Sequence, residues 1–396
     1  MKQWVQCWGQ SHAPLSAFSF DNQCRTVRLV LKSAVSGEKV RVRLSNEYGK
    51  TDILLSGVSA APCNENGVLT GDSVDLPLVK TLPAGESITT GEGNLHVQAG
   101  SFFCVSVCIR EGKLTSGNLM SGVKCLLLTG DRRHSIYPND RPRLNDSVRH
   151  FATNLLSIPL QTPIPLFETV ELLNADGASS VVVFGDSLCQ QGFWVNPFAE
   201  RICAAFPGKF SVINRSIMGN RVLRDASPVF PLKGFYGIRA LTRLERDVLQ
   251  YPDISHAILM LGANDLLHYA TISGRPSEKP AISTLAEGVF ELAEAMQRRG
   301  IRVMGSTLVN FRDSVDATQE KSDLCDLVNL LLRANQDRFD AFLDLAAVTG
   351  DPEHPQHTRP EFVGGDKMHF NALGGNAVAQ AIDLSFFKSQ EKRNVK

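Results

Sequence analysis

From residue 179 onward, short apolar runs alternate with longer stretches in which apolar residues recur every three or four positions. The runs at 181–184, 211–214, 257–261, 301–306 and 341–345 are predicted strands. Their continuous apolar character suits parallel strands covered on both faces. Between them, 197–206, 238–249, 285–299 and 321–337 carry the helical period. A last helix is predicted over 372–386, after Asn371, a residue suited to cap it. Regular alternation of strand and helix implies an α/β fold with a parallel, doubly wound sheet.

The first part of the chain has a different rhythm. Residues 26–31 and 39–44 alternate polar and apolar side chains, the pattern of strands with one wet face. Ser45-Asn46-Glu47-Tyr48-Gly49 then supplies turn chemistry. Further strands are predicted at 53–58, 94–97, 102–109 and 124–128, punctuated by Gly, Asn, Asp and Pro. No long helical period occurs before residue 170. Short strands at this spacing predict an all-β sandwich or jelly-roll domain over 1–170. A connector is expected from Gln161 to Gly177, with one extended piece at 166–173, leading into an α/β domain over 178–396.

Length agrees with two domains, since 396 residues exceed one ordinary domain. Forty-one basic residues balance 41 acidic ones, which removes electrostatic steering toward nucleic acid or an anionic membrane. No stretch approaches the roughly 20 apolar residues of a membrane span, and the first residues lack the apolar core of a secretory signal. Nine scattered cysteines without a C-x-x-C pair fit reduced thiols rather than a disulfide framework or a zinc site. A cytoplasmic location is the expectation, with no metal or other cofactor.

Chemistry concentrates where strands end. The run at 181–184 stops at Gly185-Asp186-Ser187, which places Ser187 at a sharp turn on the carboxyl edge of the sheet, where open α/β folds hold ligands. A hydroxyl nucleophile needs a base. Asp366-Lys367-Met368-His369 offers one: on a tight turn, Asp366 can fix the imidazole tautomer and leave Nε2 of His369 to take the serine proton. Gly364 and Gly365 are expected to give that turn its backbone freedom. Gly219-Asn220 and Gly262-Ala263-Asn264-Asp265 also follow predicted strands. A glycine N–H and an asparagine side chain both serve as oxyanion donors. The G-x-S-x-G elbow of α/β-hydrolases is missing, and the Asp–His spacing is too short for that fold.

These four blocks, in this order, resemble the SGNH (GDSL-like) hydrolase family. The resemblance extends to Asn220-Arg221-Val222-Leu223, to residues 237–249 and to 42–49, and so to the subgroup that carries an N-terminal β-sandwich. It implies a flavodoxin-like sheet that hydrolyses esters without metal. Ser187 is then the nucleophile, His369 the base and Asp366 its orienter. The backbone N–H groups of Ser187 and Gly219 and the side chain of Asn264 form the oxyanion hole. Leu188-Cys189-Gln190-Gln191-Gly192 departs from the family pattern, where a threonine and acidic residues are common.

Trp194, Asn220, Tyr236 and His268 are candidates to touch substrate. Phe230, Phe235 and Tyr269 are further candidates for the pocket rim, and His256, His354 and His357 receive no role. The expected substrate is a small-molecule or oligosaccharide ester, with removal of O-acetyl or other short acyl groups from a carbohydrate favoured by analogy with the subgroup. Lysophospholipase, thioesterase or general short-chain carboxylesterase activity is the alternative. A glycan-binding protein with a vestigial hydrolase domain is the rival from another class. Nucleotide binding is disfavoured, because neither G-x-G-x-x-G nor G-x-x-x-x-G-K-[ST] follows 181–184.

Overall fold

The computed structural model describes residues 2–15, 24–138, 162–226, 234–269 and 279–388. In the second half, five parallel strands lie in the order Phe210–Asn214, Ser179–Gly185, Ile254–Met260, Arg302–Ser306 and Ala341–Leu343. The first strand in sequence is therefore flanked by the second and the third. Strand order reverses there, and the crevice outside the carboxyl ends at such a point is where this class of sheet holds ligands. Val181, Val182, Val183 and Phe184 are wholly buried, as strands with both faces covered require.

Helices cover the sheet. Along Ile282–Arg298, Leu285, Val289, Leu292 and Met296 recur at helical spacing and face the core. Several predicted elements differ in extent from the sequence expectation. The helix predicted over 238–249 begins as Ala240–Leu244 and widens into a π turn at Glu245–Leu249. The strand predicted over 341–345 stops at Leu343, because the Asp344 side chain accepts from the Ala347 N–H and starts the helix Leu345–Thr349. The last long helix spans Ala372–Ala381, and a separate 3₁₀ turn occupies Leu384–Phe387.

The first half contains two larger antiparallel sheets. One pairs Gln3–Gly9, Phe167–Asn174 and Gly37–Ser45, with Ser87–Thr89 and Gly93–Val97 beyond. The other runs Lys124–Thr129, Arg25–Lys32, Phe102–Glu111, Ile53–Pro62 and Val74–Leu76. Val5, Val42 and Val170 of one sheet share a core with Leu29, Val58 and Val105 of the other, the arrangement of a β-sandwich. A small third sheet joins Thr162–Pro165, Ser116–Met120 and Ala13–Pro14.

The segment expected as a connector is largely structural. Phe167–Asn174 is an inner strand between Gln3–Gly9 and Gly37–Ser45, while Gln161 lies outside the described residues. Glu168 and Glu171 obscure its apolar alternation. Both are ion-paired, to Arg43 at 3.0 Å and Arg41 at 2.7 Å.

The two halves meet through buried polar contacts. The Gln6 N–H and side-chain amide donate to Asp253 at 2.9 and 3.1 Å. Arg215, wholly buried, donates to Gln6 Oε1 and Thr169 Oγ1 at 2.7 Å each, and lies over the Tyr251 ring at 4.7 Å. Arg243, also wholly buried, bonds Asp247, Asn220 and the carbonyl oxygens of Arg215 and Gly185, and sits 3.9 Å over Phe184. Burying a guanidinium is costly, and these hydrogen bonds and ring contacts offset much of that cost.

Candidate active site

The strand Ser179–Gly185 ends in a turn that only glycine permits at position 185. A Cβ there would lie 2.5 Å from Cys189 Sγ and 2.7 Å from the Met260 carbonyl oxygen. Asp186 then caps the short helix Ser187–Gln190, accepting from the Leu188 N–H at 3.1 Å. Ser187 is the first residue of that helix and is nearly buried.

Residues 182 positions apart in the chain meet here: His369 Nε2 stands 2.8 Å from Ser187 Oγ. On its other side, His369 Nδ1 lies 2.5 Å from Asp366 Oδ2. An ionised carboxylate only accepts, so Nδ1 carries the proton and Nε2 is left to accept from the serine hydroxyl. The turn is held by Asp366 Oδ1, which accepts from the Met368 and His369 N–H groups at 3.1 and 3.0 Å. Burial pushes the Asp366 carboxyl up, but the His369 bond and those two N–H groups outweigh it and hold the group below its ordinary value. The backbone freedom comes from an unexpected residue. Lys367, at φ 57°, takes the left-handed conformation that Gly364 and Gly365 do not. The Gly364 N–H bonds to the His369 carbonyl oxygen and the Lys367 N–H to that of Gly364, closing the loop around it.

The three oxyanion candidates lie at the carboxyl ends of three adjacent strands. Among the described residues, no acceptor takes the backbone N–H of Ser187 or of Gly219. Gly219 has φ 68°, and a Cβ on it would come within 2.3 Å of the Tyr236 ring. Asn264 Nδ2 donates to Asp186 Oδ2 at 3.0 Å. One amide hydrogen fixes the side chain and the other stays available. Burial raises the Asp186 carboxyl to about 6 despite its bonds from Leu188 and Asn264.

The four substrate candidates divide. Trp194 is corrected: it is wholly buried among core residues, 6.1 Å from the Phe198 ring, and cannot touch a ligand. Asn220 is buried too, and its amide is spent on the Tyr236 and Ile238 carbonyl oxygens and on Arg243. It shapes the loop rather than facing the crevice. Tyr236 and His268 stack near-parallel with ring centroids 6.5 Å apart and remain partly exposed. Burial pushes the Tyr236 hydroxyl up and the His268 imidazole down to about 4, so both are neutral at pH 7. Phe235 is half-buried beside Tyr236, Tyr269 is buried, and Phe230 lies outside the described residues.

Three residues that reach the loops around the site were not foreseen: Asn118 Nδ2 donates to the Ser216 carbonyl oxygen, Ser121 Oγ to that of Gln191 and Ser11 Oγ to that of Arg215. They come from the first half, and single polar residues in a β-rich region carry no signal of a long-range contact. Among the described residues, no group of three or more His, Cys, Asp or Glu could hold a metal ion, and no helix is long and apolar enough to cross a membrane.

A model of the GDSL-like lipase/acylhydrolase family matches residues 183–377, from the strand before Ser187 to the helix after His369. This half of the chain belongs to that family. The GDSL-like domain makes the protein a carboxylic ester hydrolase. Among solved structures, the acetyl xylan esterase AlAXEase is 20% identical, with 51% of this chain and 96% of that one covered and a TM-score of 0.38. The acetylxylan esterase Axe2 from Geobacillus stearothermophilus is 16% identical, with coverage of 52% and 93% and a TM-score of 0.40. An acylhydrolase-like protein from Bacteroides fragilis NCTC 9343 is 16% identical, with coverage of 54% and 88% and a TM-score of 0.39. No curated protein sequence matches the chain.

Proposed function

We propose that the protein is a serine esterase working through an acyl-enzyme, and that it removes acetyl or other short acyl groups from a carbohydrate. The observation that carries the catalytic part is the continuous line Ser187 Oγ, His369, Asp366, with both links at hydrogen-bond distance. Ser187 attacks the ester carbonyl carbon while His369 Nε2 takes its proton. The carbonyl oxygen becomes an oxyanion, received by the Ser187 and Gly219 N–H groups and by Asn264 Nδ2. Collapse expels the alcohol, which takes the proton from His369. Water, deprotonated in turn by His369, attacks the acyl-serine and releases the carboxylic acid. Asp366 stays ionised throughout and steadies the imidazolium.

The substrate reading rests on Tyr236 and His268. The Tyr236 ring packs against the backbone at Gly219, which narrows the acyl side next to the oxyanion donors. Its stack with His268 offers a flat surface edged with a hydroxyl and ring nitrogens, suited to a hydroxyl-rich sugar ring.

Two measurements test the two parts. Wild type should react covalently with a fluorophosphonate and release p-nitrophenol from its acetate in a burst, and Ser187→Ala should do neither while keeping its circular dichroism. Asn264→Ala should lower kcat on the order of 100- to 1,000-fold. Full activity in both variants would reject the residue roles. Turnover on acetylated oligosaccharides should exceed that on aryl esters of lengthening chain. Preference for long chains, as a lysophospholipase or thioesterase shows, would reject the carbohydrate reading.

A further inference from the structure

Of the oxyanion donors, two are backbone N–H groups on different loops, and the loops are tied by a side chain from the other half of the molecule. Asn118 lies in the strand Ser116–Met120 of the β region and is almost wholly buried. Its Nδ2 donates to the carbonyl oxygen of Ser216 at 2.9 Å, on the loop that leads to Gly219. Its Oδ1 accepts from Gln190 Nε2 at 3.0 Å, on the helix that begins with Ser187. The Leu119 N–H donates to the same Oδ1 at 2.9 Å and holds the amide in one orientation.

The surrounding contacts point the same way. Gln190 Nε2 also donates to the Leu119 carbonyl oxygen at 2.5 Å, and Ser121 Oγ donates to that of Gln191. Asn214 Nδ2 donates to the Cys189 carbonyl oxygen at 2.9 Å, and the Ile217 N–H to that of Gly185 at 3.2 Å. Asn118, Gln190 and Ser216 are all buried, where a polar group that loses its partner keeps the cost of its desolvation.

We propose that Asn118 is a positioning residue of the esterase site: it fixes the separation of the Ser187 and Gly219 N–H groups, and through it the β region completes the oxyanion hole. This rests on the esterase reading above. Donors serve an oxyanion only when they are preorganised at 2.7–3.1 Å from it, and a displacement of about 1 Å is enough to cost on the order of 100-fold in rate. The β region is then part of the catalytic unit, whether or not it also binds a ligand.

The test uses the full chain and p-nitrophenyl acetate, with Asn118→Ala and Asn118→Asp. Both variants should lower kcat by about 10- to 100-fold at nearly unchanged KM, and both should slow fluorophosphonate labelling in parallel. Asp keeps the acceptor for Gln190 and Leu119 but loses the donor to Ser216. Its activity relative to wild type at the same pH should therefore recover as the pH falls and the new carboxyl gains a proton to donate. A purely structural role predicts lower thermal stability with kcat unchanged, or a loss in Asp that does not vary with pH. Either result overturns the proposal, and should Ala fail to fold, the near-isosteric Asp decides alone. If wild type hydrolyses no ester and resists the probe, the esterase reading itself has failed; if wild type reacts and both variants match it, only the role of Asn118 has.

Discussion

Gly219 bears two constraints at once. Its φ of 68° favours a residue without a Cβ, and the Tyr236 ring occupies the place a Cβ would take. Gly219→Ala should therefore lose about 1–2 kcal/mol of stability and, by moving a donor, on the order of 100-fold in kcat. Urea unfolding and steady-state kinetics on one preparation check both, and a variant with normal kcat would show that the Gly219 N–H is not used. At this scale the sequence was most legible for Ser187, Asp366 and His369, because chemistry demands those residue types near strand ends and turns. It was least legible for Trp194. An aromatic residue shortly after the nucleophile looks the same in sequence whether it lines a crevice or fills the core beneath it. Lys367 is a similar case: its left-handed backbone is imposed by the bonds that close the loop, which no single-residue preference reveals.

Among elements, the short helix Ala263–Leu267 gains its grip from Asp265, whose carboxylate accepts from the Val222 and Leu223 N–H groups at 2.8 and 3.0 Å. That carboxylate clamps the stretch after Asn220 to the strand end that carries Asn264. Burial nevertheless raises it to about 6, above its ordinary 3.8. A carboxyl that holds its proton more tightly when folded favours the folded state at low pH. That contribution is full below about pH 4 and is lost as the pH rises to about 6, a change of ~3 kcal/mol for a shift of this size. Asp265→Asn removes the titration. Its unfolding free energy relative to wild type should rise between pH 4 and pH 7, whatever the constant cost of the altered bonds; a difference independent of pH would refute the shift. The helix after His369 depends on its cap. Asn371 Oδ1 accepts from the Leu373 and Gly374 N–H groups at 2.9 and 3.1 Å, so Asn371→Ala should cost about 1 kcal/mol in urea unfolding. This cap was legible in the sequence, as were the five parallel strands, because buried strands are apolar throughout. The extended piece at 166–173 was legible as well and is the strand Phe167–Asn174; its place as an inner strand of the sandwich was not, since two paired glutamates give it the look of a connector.

Across the whole molecule, the buried guanidinium of Arg215 joins what the composition pattern separates. It bonds to Gln6 and Thr169 in the β region from the loop after Phe210–Asn214. Arg215→Ala strands those neutral partners in the interior and should lower the unfolding free energy in urea by about 1–3 kcal/mol for each group left without a bond. The network also predicts that both halves unfold together. Trp4 and Trp8 report on one half and Trp194 on the other, so single-half tryptophan variants should give coincident urea midpoints. Separated midpoints would mean that the interface contributes little. None of this long-range pairing was legible beforehand, since the change in periodicity near residue 178 marks where the secondary structure changes and is silent on how closely the parts dock.

The pairing of Gln3–Gly9 with Phe167–Asn174 sets a timetable for the nascent chain. Val5 lies opposite Leu172 and Trp8 opposite Val170, so the earliest strand of this sheet to be synthesised waits for the latest one. Until then the N-terminal sandwich stays open along that edge, a template for mispairing or for chaperones. Closing the sheet brings Gln6 to the place where Asp253 will later dock, and the hydrolase half emerges onto a scaffold already in position to receive it.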